Sequence, residues 1–185
     1  MYWGVQELAI LPTLLYNSET WVHIAKTTED KHEDLQLFFI RLILRVPQGT
    51  PKVALQSETG LLSMKLRIWK RKCLLIHHIK NMEDGALAKQ VHCEQMENGW
   101  PGLAKEVTGI CGELGMEDVN FSNITKNALK NLLEEVCQET DERDLKDEMA
   151  NKTEKLKEGN CKIRKYMNLK SLADVRNTCR VRLTW

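Results

Sequence analysis

Proline and glycine are scarce in this chain, 4 and 10 in 185 residues, which leaves little material for the tight turns of a β-sandwich or barrel. Helix is the default expectation. No C-x-x-C pair joins any of the six cysteines, Cys73, Cys93, Cys111, Cys137, Cys161 and Cys179, although a structural zinc site normally takes two sulfurs from one tight turn. They read instead as reduced thiols used as small core residues. Charge of neither sign prevails. With a formal net charge of +1, the chain as a whole has no electrostatic reason to seek nucleic acid or an anionic membrane, so any such attraction must be local. No long apolar run is present either. The start MYWGVQELAILPTLLY is interrupted by Glu7 and Pro12 and lacks a basic leader, so neither secretion nor membrane insertion is expected. The expected location is intracellular, in cytoplasm or nucleus.

Signs of catalysis are equally sparse. There is no G-x-S-x-G elbow, P-loop, G-x-G-x-x-G or H-E-x-x-H. His77 and His78 form the one histidine pair, but neighbours on a helix point about 100° apart. The carboxylates beyond residue 133 are scattered along polar helix and read as a solvated face. No cofactor or metal is implied.

What is present is amphipathic periodicity. In TTEDKHEDLQLFFIRLILRV, Thr27 is suited to N-cap a helix over about 28–46. Acids fill its first turn, Arg41 and Arg45 lie near its end, and Pro47 stops it. Leu35, Phe38, Phe39, Leu42 and Val46 form its apolar stripe. Gly60 introduces LLSMKLRIWKRKCLLIHHIKNM, whose apolar residues cover about half the helical circumference and fall into two adjoining stripes. One contains Leu62, Leu66, Trp69, Cys73 and Ile76. The other contains Leu61, Ile68, Leu75 and Ile79. A helix that apolar needs more than one neighbour, which makes it the expected centre of a bundle. Two shorter helices follow, in ALAKQVHCEQM and after Pro101, the second with Leu103, Val107, Ile110 and Leu114 as its stripe. Beyond Met116 the apolar residues thin out, so a mobile or solvent-wrapped helix is expected over about 138–160. The expected fold is all-α: an irregular bundle over 1–116, then a charged amphipathic helical extension over 117–185.

The remaining face of the central helix carries Arg67, Lys70, Arg71, His77 and His78. Its three long-chain cations lie within about 7 Å of helix rise, with no acid between Gly60 and Met82. Such a face can track phosphates. It can equally be satisfied by the acidic stretch 134–148, or by water. The segment from Lys162 to Arg182 is basic and can pair with that same stretch.

In order and spacing, LLYNSETW, EDLQLFFIRLILRVP, TPKVALQSETG, LLSMKLRIWKRKCLLIHHI, ALAKQVHCEQ and WPGLAKEVTGICGELG resemble the region after the palm in reverse transcriptases of non-LTR (LINE-type) retrotransposons. The phrase Leu14-Leu15-Tyr16 with Glu19 and Trp21 looks like that family's thumb-region signature. The ending NLKSLADVRNTCRVRL is similar to the segment ahead of its terminal zinc-binding cluster. The resemblance implies a helical region that packs on the polymerase core and contacts template, primer or element RNA. Arg67, Lys70 and Arg71 would be the leading phosphate contacts, with Arg41, Arg45, Arg176 and Arg180 as further candidates. Tyr16, Trp21 and Trp69 would be packing or interface residues, and part of the surface of Tyr16 and Trp21 would be orphaned without the core. Polymerase chemistry in that family uses metal-holding carboxylates, normally including an Asp-Asp pair, and this sequence has no such dipeptide. The resemblance therefore implies a non-catalytic excerpt, with the palm before Met1 and the zinc cluster beyond Trp185. A different reading of the same residues is a helical protein-interaction module that binds no nucleic acid.

Overall fold

Seventeen residues of the apolar, doubly striped segment form the helix on which the other elements are arranged. In a computed structural model the described residues are 10–158, with side chains as far as Asn151. They contain seven α-helices and no strand: α1 (Leu11–Leu14), α2 (Lys26–Leu44), α3 (Lys52–Thr59), α4 (Met64–Lys80), α5 (Leu87–Glu97), α6 (Leu103–Glu113) and α7 (Lys126–Glu158). The all-α bundle is therefore present. The stretch from 159, with Arg176 and Arg180, lies outside the described residues.

Three apolar clusters meet at or beside α4. Leu62, Leu66, Trp69, Cys73 and Ile76 pack with Val107, Ile110 and Cys111 of α6, the following Leu114, Met116 and Phe121, and Leu129, Leu133 and Cys137 of α7. The second stripe is divided: Ile68, with Met64 beside it, packs with Leu11, Leu15, Trp21 and Ile24, while Ile79 lies partly buried against the main core. A third cluster joins Leu37 and Ile40 of α2 to Leu55 of α3 and to Leu61, just ahead of α4. The first cluster crosses the 116/117 boundary expected from composition, since the early turns of α7 belong to the same core as α6.

Two expectations about α2 are corrected. The helix begins at Lys26 with Ala25 as N-cap, and Thr27 makes no cap. Its entry is set by Trp21 and Ile24, which pack on the α4 cluster and deliver the chain at that point. Its buried face consists of Gln36, Leu37 and Ile40, while Leu35, Phe38 and Leu42 of the expected stripe are 40%, 44% and 61% exposed. The segment carries two apolar rows, and the narrower one meets α3. At its far end Arg45 adopts the left-handed conformation (φ 53°), and Val46 N donates to Arg41 O at 3.1 Å. This Schellman-type closure stops the helix before Pro47 is reached.

The start of α4 is held by other elements. Ser63 makes no side-chain cap. Met64 N donates to Glu33 Oε2 of α2 at 2.7 Å, and Ser63 N donates to Asp141 Oδ1 of α7 at 3.3 Å. Two carboxylates thus meet N–H groups that the helix cannot satisfy internally, at the positive end of its dipole. Helix α7 continues through the stretch expected to be solvent-wrapped as far as Glu158, and most of the residues from 138 to 151 are exposed. Thr140 is buried there, and Asp141 and Leu145 face a cleft.

Candidate nucleic-acid interface

Arg67, Lys70 and Arg71 occupy one side of α4, at the i, i+3 and i+4 spacing that places side chains together. Each has an intramolecular partner. Lys70 Nζ pairs with the Glu134 carboxylate on α7. Arg71 Nη1 donates to Leu15 O at 2.6 Å and to Glu19 Oε2 at 3.1 Å. Arg67 Nε donates to Leu62 O at 3.1 Å. The strip is therefore bordered by α7 on the Lys70 side and by residues 15–19 on the Arg71 side. Burial, with the nearby Lys130 and Arg67 cations, holds the Lys70 ammonium below the usual lysine range.

The aromatic phrase near the start is a strap across α4. Asn17 takes the left-handed conformation (φ 55°), a 3₁₀ turn spans Ser18–Thr20, and Ser18 is fully buried. This turn brings Glu19 onto Arg71. Trp21 packs on the Met64–Ile68 cluster and stands 5.2 Å, ring to ring, from His32 of α2. Tyr16 is left 80% exposed. Trp69 lies in the main core, with Lys65 Nζ 4.1 Å above its ring.

The remaining arginines divide by position. Arg41 Nη2 donates to Thr50 O at 3.0 Å and ties down the connection between α2 and α3. Arg45 is exposed at the helix end. His77, placed by its sequence pattern on the polar face, is instead buried, with Nε2 2.9 Å from Ile124 O.

Sequence reasoning missed the one lysine buried completely among the described residues. Lys72 is 1% exposed, and its Nζ lies 2.5 Å from Glu106 Oε1 of α6. The other oxygen of Glu106 accepts from His23 N at 3.4 Å. The available signal was angular: on a 100° wheel Lys72 falls between Ile68 and Trp69, inside the apolar arc.

Charge of the opposite sign gathers at the start of α4, about one turn from Arg67. A cleft of 420 Å³ is lined by Glu29, Asp30, Glu33, Asp141, Asp144 and Glu148, against Lys26, Lys52 and Lys65. This end would repel a phosphate backbone. Burial pushes the Asp141 carboxyl above its ordinary range, although the Ser63 backbone and side chain pull it back. Among the described residues, no three His, Cys, Asp or Glu side chains converge as a metal site, and no helix is long and apolar enough to cross a membrane. No protein-family model, curated protein or solved structure matches the chain.

Proposed function

We propose that this chain is a non-catalytic helical packing module of the kind that follows the palm in LINE-type reverse transcriptases, docking on a larger protein body such as a polymerase core. One observation carries the reading: Leu35, Phe38 and Leu42 form a solvent-facing apolar row on α2 while Leu37 and Ile40 on its other face already pack on Leu55 and Leu61. Leu87, Val91, Met96 and Trp100, in and just after α5, are exposed as well. A free-standing domain seldom leaves apolar rows uncovered without a partner. The test is co-purification with the palm region of a LINE-type reverse transcriptase, using the wild-type chain and Leu35→Lys/Phe38→Lys/Leu42→Lys. Retention of wild type and loss of the equally stable variant supports the reading. Equal retention of both, or of neither, removes it.

A second reading, phosphate contact through Arg67, Lys70 and Arg71, rests on their i, i+3 and i+4 placement along one side of α4. Binding would require a phosphate to compete with Glu134 and Glu19. If three contacts form, the slope of log K against log salt for labelled primer-template or structured RNA is about −2 to −3. A flat salt response, or no binding by folded protein, eliminates this reading without any substitution.

A further inference from the structure

Cys73 of α4 and Cys111 of α6 belong to the same buried cluster of the main core, where each thiol lies within the electrostatic reach of the other. Their surroundings differ. Cys73 is 0% exposed, whereas Cys111 lines a cleft of 390 Å³ bounded by Ile76 and Lys80 of α4, His92 of α5, and Met116, Val119 and Phe121. Cys111 is 6% exposed and borders the cleft, whereas Cys73, in the same cluster, does not line it. We propose that Cys111 is a thiol-modification site for a small peroxide, with Cys73 as the resolving thiol that closes a disulfide between α4 and α6.

The chemistry balances with hydrogen peroxide as the named oxidant. The Cys111 sulfur attacks one peroxide oxygen, the O–O bond breaks, and water leaves, giving a sulfenic acid. The Cys73 sulfur then attacks the sulfenic sulfur, and the hydroxyl departs as water with the Cys73 proton. Two thiols are oxidised and one peroxide is reduced to two waters. The environment suits these roles. The Cys73 thiol and the nearby Lys80 ammonium pull the Cys111 thiol below its ordinary range against the opposing effect of burial, while the Cys111 thiol and burial push Cys73 above it. Cys137 also lies near Cys73, but burial raises its thiol, and it is 0% exposed. Cys93 is exposed on α5 and provides an internal standard for simple accessibility.

The experiment uses the reduced full chain, treated with about one equivalent of hydrogen peroxide, quenched with an alkylating agent and mapped by mass spectrometry. The expected product is a Cys73–Cys111 linked peptide, two hydrogens lighter than the sum of its parts, with Cys93 alkylated as in the untreated sample. In Cys73→Ser, Cys111 is trapped as the sulfenic acid by a dimedone-type reagent. Oxidation of Cys93 first, a link from Cys73 to Cys137, or both core thiols still reduced would each overturn the proposal. The wild-type map alone separates these outcomes, so a poorly folded variant cannot mask them.

Discussion

At the scale of single residues, the most consequential contacts join positions far apart in the chain. Lys72 and Glu106 are 34 residues apart, and Arg71 and Glu19 are 52. Periodicity placed Arg71 on the polar face of its helix, but it carries no information about a glutamate in another turn. Removing the Lys72 charge alone strands Glu106, whose side chain is 21% exposed and so keeps some solvation. Lys72→Met is expected to cost about 2–3 kcal/mol, whereas Lys72→Met/Glu106→Leu is expected to return within about 1 kcal/mol of wild type. Urea denaturation of the three proteins checks both values, and a double variant as unstable as the single one shows that the pair itself holds the fold. Asp141 makes the opposite case. Its folded-state carboxyl lies above the unfolded value, so the folded protein takes up that proton more readily and ionisation at neutral pH works against stability. Asp141→Asn keeps an oxygen for Ser63 N and is expected to raise the melting temperature at about pH 7. The gain should shrink as pH falls through the raised folded-state value towards about pH 4, where the wild-type carboxyl is protonated as well. A gain of the same size at both pH values would show that charge is not its cause.

At the scale of elements, helix positions were legible and their faces were less so. The Leu62–Ile76 stripe of α4 is buried and the α6 stripe is buried from Val107 to Leu114, whereas of the second α4 stripe Leu61 and Ile68 are buried and Leu75 and Ile79 only half-buried. In α2 the bulkier apolar row is not the buried one. Leu35, Phe38, Phe39 and Leu42 outweigh Leu37 and Ile40 in apolar bulk, yet Gln36, Leu37 and Ile40 face the core. The choice depends on where Trp21 and α3 place the helix and on Glu33 reaching the start of α4. The N-terminal contacts of α4 were illegible for the same reason, since Glu33 and Asp141 approach from two other helices. Substitution separates the two faces of α2. Ile40→Ala is expected to cost about 2–5 kcal/mol through lost burial and a residual cavity. Leu42→Ala should fall within about 0.5 kcal/mol of wild type. Chemical denaturation of both variants measures the contrast, and equal costs would mean that the Leu42 row is already covered in solution by a second copy or by another part of the chain.

At the scale of the whole molecule, composition suggested a boundary near Met116, while packing runs across it. Acid-rich sequence after residue 133 dominates the average, but the residues that decide cooperativity are Phe121, Leu129, Leu133 and Cys137, which close the core around Leu66, Trp69 and Cys73. Of these, Leu129, Leu133 and Cys137 lie in the early turns of α7, and all three are 0% exposed. A chain ending at Met116 would therefore open one side of α4 to water. Each large apolar side chain so exposed loses about 1.5–3 kcal/mol of burial, and several together rival the roughly 5–15 kcal/mol by which a domain is usually stable. Residues 1–116 alone are expected to keep partial helix by far-UV circular dichroism, to lose near-UV signal and to bind a hydrophobic dye, the signature of collapsed chain without fixed packing. The full chain should unfold in a single transition seen alike by both spectral ranges. A 1–116 fragment with native near-UV signal and its own cooperative melt would instead make the early turns of α7 an accessory to an independent bundle.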